Sequence, residues 1–257
     1  MLNKVDFLGY DFISAEHVDI VAQHIIRALD QTSDLKYPVI FTPNVDYLVK
    51  LNRPENFYLN EKLVKSEYIL PDGQPIIWAA KLKGKNLRHR LAGSDLFLSL
   101  FTLTTQNKIA TLYLTSGIKV SNYFEVNDAY CKTYTLPFFD QNDNVALDKI
   151  VSDTARLIID HEIKIVYIGV SFPKQDVLGF RILDELKKQG IKKLPTVAFL
   201  GASLEFKAGL KKRAPEFFKK AGLEWFYRFV NEPTRLFKRY FIDSFGFFKV
   251  LIQQGKK

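Results

Sequence analysis

Cysteine is almost missing from this chain: Cys131 is the only one, so an internal disulfide is excluded and no thiolate cluster can hold a metal. Histidine is scarce as well. His17, His24, His89 and His161 are scattered without ligand spacing, and His24 lies near a helical apolar stripe, where a packed or capped role outweighs a catalytic one. No apolar run approaches the ~18 residues of a membrane-spanning helix, and Met1-Leu2-Asn3-Lys4 leads into no signal-peptide core. Internal repeats and low-complexity linkers are lacking too. The expectation is a cytoplasmic protein, and 257 residues at 47% hydrophobic suffice for one domain, or one domain with an appendage.

Charge is unevenly placed. Residues 1–205 hold 24 Lys and Arg against 24 Asp and Glu, whereas residues 206–257 hold 13 against 4, which accounts for the whole net charge of +9. Those last residues also carry 13 of the aromatic side chains. A neutral body (1–205) with a basic, aromatic tail (206–257) points to an anionic partner surface, either a membrane or a nucleic acid. Within the tail, Glu232-Pro233 opens a helical pattern in which Phe237, Tyr240, Phe241, Phe245, Phe248 and Ile252 recur at helical spacing. Arg235, Lys238, Arg239 and Lys249 largely fall on the other side. That pattern favours a helix lying in a membrane interface over the alternative of an ordinary amphipathic helix docked on the body.

The body alternates strand and helix. VDFLGYDF (5–12) suggests a strand or hairpin, and Ser14 stands where it would cap a helix carrying Val18, Val21, Ala22, Ile25, Ile26 and Leu29. Strand patterns follow at 37–42, 68–70, 109–117, 131–136, 164–170 and 194–201. Helical patterns fill the intervals at 44–66 (broken near Pro54), 74–83, 94–105, 145–161 and 175–189. This order predicts an α/β fold, a mainly parallel Rossmann-like sheet with helices on both faces, plus a basic aromatic helical appendage at the C-terminus.

Ligands of such sheets sit where strands end and helices begin. From Phe41 to Leu96 that junction recurs three times, and its loops hold Thr42, Asn44, Asp72, Arg90, Ser94 and Asp95. Each also has an ordinary use, with Asn44 and Ser94 as helix N-caps and Asp72-Gly73 as a turn. The motifs are more telling in combination. FTPNVDYL, ILPDGQPIIWAAKLKG and RHRLAGSDLF come in order, followed by PKQD (173–176) and AGLKKRAPEFFKKAGLEWFYRFVNEPTRLFKRY (208–240). Together they resemble the WecG/TagA/CpsF family of bacterial glycosyltransferases, which includes the teichoic-acid linkage enzyme and the enterobacterial common antigen transferase.

The resemblance implies a transferase that moves a hexosamine-type or related sugar from a UDP donor to a hydroxyl on an undecaprenyl-diphosphate-linked saccharide, with inversion, in cell-surface polysaccharide synthesis. It implies a peripheral position on the inner face of the cell membrane and no cofactor. Self-association is left open. Such a reaction needs a base, stabilisation of the departing diphosphate and a sugar pocket. Asp72, just past a buried strand with Gly73 behind it, is the candidate base, and the resemblance gives this position that role; Asp95 and Asp46 are rivals at helix starts.

No two aspartates stand two apart, so the usual Asp-x-Asp cation site is absent and a metal-independent reaction is expected. Helix N-termini, Arg90 and the tail arginines Arg228, Arg235 and Arg239 would then neutralise the diphosphate. The family motif places Thr42 and Asn44 in the pocket. Gly117 and Gly169 end strands where a nucleotide can approach backbone, Gln175 is expected in the same cleft, Lys174 is a candidate phosphate contact, and Glu205 a donor contact. Departures from the family pattern at Thr115-Ser116-Gly117, at PKQD and at Leu204-Glu205 fall where donor contacts are expected, so they bear on the sugar's identity. The competing reading is a non-catalytic nucleic-acid- or membrane-binding module using the tail, opposed by the electrically neutral body.

Overall fold

The computed structural model describes residues 2–29, 36–211, 230 and 244–253. One eight-stranded sheet forms the centre, in the order β1-β2-β4-β3-β8-β7-β5-β6. Strands β1 (Lys4–Phe7) and β2 (Tyr10–Ile13) form an antiparallel hairpin, turned by Leu8 and Gly9, both at positive φ. All other pairings are parallel: β3 (Tyr37–Phe41), β4 (Ser66–Ile69), β5 (Thr111–Thr115), β6 (Cys131–Thr135), β7 (Ile165–Ile168) and β8 (Thr196–Phe199). The central strands are short and apolar at nearly every position, as burial on both faces requires.

Side chains of a strand point alternately to opposite faces, and here the alternation builds two cores. Val39 and Phe41 of β3, Leu112 and Leu114 of β5, and Val197 and Phe199 of β8 join one core. Against it pack α2 (Val45–Leu51), α3 (Phe57–Leu63), α4 (Gln74–Leu82), α7 (Asn144–Asp160) and α8 (Lys174–Lys188). Ile40, Tyr113 and Ala198 face the other core, shared with α1 (Val18–Ala28), α5 (Gly93–Gln106), α6 (Ile118–Asn127) and α9 (Ser203–Lys207). Each fully buried Leu, Ile or Phe contributes about 1.5–3 kcal/mol relative to exposure, so the sheet is held mainly by these two layers.

Two expected caps are placed differently. Helix α1 starts after His17, which makes no side-chain cap bond. Ser14 is used instead at the end of β2, its Oγ donating to Asn86 O at 3.0 Å and accepting from Arg88 N at 3.3 Å. Helix α5 starts after Ala92, which puts Ser94 inside its first turn.

The segment after the body shows a further helix, α10 (Ser244–Gln253), packed on α2. Phe247 and Val250 are buried in the first core, and a Cβ added at Gly246 would come within 2.7 Å of Val49 Cγ1. Phe248 and Ile252, one turn apart, stay 63% exposed. Helix α9 runs across the expected boundary at residue 205. Among the described residues, no helix is long and apolar enough to cross a membrane.

Candidate active site

Parallel register lines up the carboxyl ends of five strands. Ile69 of β4 pairs with Phe41 of β3, Phe41 with Phe199 of β8, Phe199 with Ile168 of β7, and Ile168 with Leu114 of β5. At about 4.8 Å per strand, the row from β4 to β5 spans about 19 Å. Loops after β3 and β4 lead to one face of the sheet, whereas those after β8 and β5 lead to the other. A crevice therefore opens over β3 and β8.

Asp72 stands at the β4 end of the row. Its backbone N–H donates to Pro43 O at 3.0 Å and Leu91 N donates to Pro71 O at 2.9 Å, so the β3, β4 and pre-α5 loops are laced together. The Asp72 Oδ2 accepts from Gly93 N at 3.1 Å, while Arg90 Nε lies 3.8 Å from its Oδ1. Helix α5, whose N-cap Ala92 has no capping side chain, thus receives a carboxylate from another loop. The positive end of the helix and the guanidinium both attract that carboxylate. Both side chains are only partly exposed, which strengthens the attraction over that of a solvated pair.

Gly93 was not singled out from the sequence, although the structure gives it a strict role. A Cβ there would fall 2.5 Å from Thr42 Oγ1, so Gly93 lets α5 start directly against the end of β3. Its only sequence signal is its place inside LAGSD. Asn44 does cap α2, its Oδ1 accepting from Tyr47 N at 3.0 Å, a bond that engages only the amide oxygen. Gly73 caps α4 with room for a Cβ, which would make only ordinary contacts of 3.8 Å or more with Asn44. Thr42, Asn44, Asp72, Gly73, Arg90, Ser94 and Asp95 are therefore one neighbourhood. Beside it a cavity of about 490 Å³ is lined by His17, His89, Arg90, Ala92 and Asp95, among others.

Gly117 and Glu205 form a second group. Gly117 caps α6 and faces open space, and the neighbouring Ser116 Oγ donates to Glu205 Oε1 at 3.3 Å across the β5 and β8 loops. Lys211 closes on the other oxygen of Glu205. Gly169 serves packing instead: a Cβ there would come within 2.8 Å of Leu204 Cδ2 and 3.2 Å of Leu114 O. Leu204 and the Leu114 carbonyl occupy the side on which a side chain at that position would stand.

Gln175 is buried and acts as a tie. Its Oε1 accepts from Gly201 N at 3.1 Å, and its Nε2 donates to Tyr47 Oη at 3.1 Å. Tyr47 in turn donates to the carboxylate of Asp176. Asp176 is fully buried, and its Oδ2 has no hydrogen-bond partner among the described residues. Burial pushes the Asp176 carboxyl up to about 7, the hydrogen bond from Tyr47 opposing the rise. The Tyr47 phenol is driven well above its ordinary range, by burial first and by the Asp176 charge second. In the sequence Asp176 stands out only as the point where PKQD departs from the family pattern, and nothing local marks it as a buried partner of Tyr47.

Lys174 is not brought to either group. Its ammonium bonds Phe139 O and lies 4.7 Å from the centre of the Phe138 ring, in the loop after β6. Arg228, Arg235 and Arg239 lie outside the described residues. No group of three or more His, Cys, Asp or Glu positioned for a metal ion occurs among the described residues.

Known proteins match this chain along nearly its whole length. An N-acetylglucosaminyldiphosphoundecaprenol N-acetyl-beta-D-mannosaminyltransferase of Bacillus spizizenii (strain W23) is 28% identical over 242 residues, covering 88% of this chain and 82% of its own. The protein of the same name from Staphylococcus aureus (strain MW2) is 24% identical over 257 residues, covering 99% and 94%. The model of the glycosyl transferase WecG/TagA/CpsF family matches residues 5–257. With its polar loops gathered at the carboxyl edge of a parallel sheet and a family match over that span, the chain belongs to the WecG/TagA/CpsF family and is a glycosyltransferase.

Proposed function

We propose that the protein transfers an N-acetylmannosamine-type sugar from a UDP donor to N-acetylglucosamine on undecaprenyl diphosphate, with inversion and without a metal ion. The sugar and the acceptor class follow from what the relatives are named for, and the UDP donor from the family resemblance of the motifs. The observation that carries the chemistry is the placement of Asp72, a carboxylate held between the first N–H of α5 and Arg90 at the carboxyl edge of the sheet.

Asp72 takes the proton of the acceptor hydroxyl as that oxygen bonds to the anomeric carbon from the face opposite the leaving group. The bond from that carbon to the UDP oxygen breaks, and negative charge passes to the diphosphate. Arg90 and the N-terminal end of α5 then stabilise the departing charge. Thr42 and Asn44 supply hydroxyl and amide contacts to the sugar, with Ser94 and Asp95 beside them. Gly117 and Glu205, across the crevice, frame the donor. The tail arginines Arg228, Arg235 and Arg239 are candidates to close over the diphosphate.

Residues 206–257 are read as the membrane-associating part, on the cytoplasmic face of the cell membrane. Exposed Phe248 and Ile252 on α10, with Lys249 beside them, support this, each near-surface cation adding about 1 kcal/mol. Incubation with a panel of UDP-sugars and a short lipid-linked N-acetylglucosaminyl diphosphate tests the reaction. UDP release with the N-acetylmannosamine donor and its loss in Asp72→Asn are expected. Failure to release UDP with every donor would overturn the proposal.

A further inference from the structure

Helix α4 begins one residue after the Asp72-Gly73 turn and has two unlike sides. Ile76, Ile77 and Ala80 are buried in the core. On the other side Trp78 is 59% and Leu82 88% exposed, four residues apart and therefore adjacent on the helix surface. Single exposed apolar residues are ordinary, but a tryptophan beside a leucine on a helix that has already filled its core positions is apolar surface left over.

The charge that this segment itself carries has one sign. From Gly73 to Ser94 the sequence has no acidic residue, while it holds Lys81, Lys83, Lys85, Arg88 and Arg90. Lys81, Lys83 and Lys85 are exposed around the end of α4. Acidic groups reach this segment from outside it: Asp6 of β1 lies 3.9 Å from Lys85, Glu16 lies 3.5 Å from Arg88, and Asp72 lies beside Arg90. The pair formed by Lys85 and Asp6 is well exposed and correspondingly weak. An indole and an aliphatic side chain ringed by long cations match the boundary layer of an anionic bilayer, where tryptophan spans the headgroup level and lysine stems reach outward to lipid phosphates.

We propose that the outer face of α4, Trp78 and Leu82 with Lys81, Lys83 and Lys85, docks on an anionic lipid bilayer as a membrane contact of the body, separate from the tail. From Gln74 to Leu82 the helix rises about 12 Å. A bilayer under this face would lie within that distance of the Asp72 turn, on the side from which a lipid-linked acceptor arrives. The purpose given to the contact rests on the acceptor proposed above; the contact itself does not.

Trp78 and Trp225 are the only tryptophans, so Trp225→Phe in the full chain makes Trp78 the sole indole reporter. Its emission is followed on adding vesicles of equimolar phosphatidylglycerol and phosphatidylcholine, in a plain set and a set with brominated acyl chains. A blue shift with the plain set, quenching by the brominated set, and loss of both in high salt or with pure phosphatidylcholine are expected. Replacing Lys81, Lys83 and Lys85 by Gln should lower vesicle partition on the order of 100-fold at low salt, since each near-surface cation contributes about fivefold.

Protein that floats with the vesicles while Trp78 emission stays unchanged would overturn the proposal and leave the tail as the contact. A blue shift that grows with protein concentration in the absence of lipid would overturn it in favour of a second copy of the chain. Should Trp225→Phe lose its fold by circular dichroism, the lysine series in the parent chain decides. Neither donor nor acceptor is present in these assays, so their failure is distinct from failure of the sugar-transfer reading.

Discussion

The buried carboxylate of Asp176 makes a prediction that separates its charge from its shape. Burial lifts it from 3.8 to about 7. Between those values the folded protein keeps a proton that the unfolded chain releases, so the stability tied to this group is complete below about pH 4 and is lost as pH rises towards 7. Three units at about 1.4 kcal/mol each set an upper bound of ~4 kcal/mol on the loss. Asp176→Asn keeps the size of the side chain and an oxygen to accept from Tyr47, but it cannot ionise.

Relative to the parent, the variant should therefore gain stability steadily between about pH 4 and pH 7, by up to ~4 kcal/mol, and no further above that. Urea unfolding of both proteins across this range, with the difference plotted against pH, cancels every other titrating group. A difference that does not change with pH would show that Asp176 is not the buried acid described, and that water or a cation reaches its second oxygen.

Other outcomes follow from the site. Asp72→Asn should retain fold and UDP binding while turnover falls about 10²- to 10⁴-fold; near-normal turnover would pass the base role to Asp95 or Asp46. Gly93→Ala pushes a methyl against Thr42 and should cost about 1–3 kcal/mol in unfolding free energy with a marked loss of activity; an unchanged melting temperature and rate would refute the close packing of α5 on β3. Activity should persist in excess EDTA, whereas loss reversed by magnesium or manganese would reveal a cation in the reaction. Phe248→Ser with Ile252→Ser should weaken flotation with anionic liposomes without changing thermal stability, because both side chains are largely exposed; unchanged flotation would remove α10 from the membrane contact.

Much of this architecture was legible in the sequence because hydrophobic spacing is a local property. The helix read at 74–83 is Gln74–Leu82, that at 145–161 is Asn144–Asp160, and that at 175–189 is Lys174–Lys188. The order of the strands was not legible, since nothing local says that β8 inserts between β3 and β7. Cap assignments at Ser14 and Ser94 went astray for the same reason. Ser14 bonds a loop more than seventy residues away, and α5 is capped by Asp72 from another loop. Asp72, Asn44 and Arg90 stood out because polar side chains at strand ends are conspicuous. Gly93 and Asp176 did not, because their importance lies in what touches them.

Helix α2 is only two turns long, and three parts of the molecule hold it. Asn44 at its start belongs to the pocket proposed for the sugar, Tyr47 reaches inward to Gln175 and Asp176, and Val49 receives Gly246 of α10. So short a rod does not flex between its ends; displacing one moves the other. The final helix and the first pocket residue are in that sense a single lever, and a spectroscopic label on α10 would report from the surface on events at the crevice.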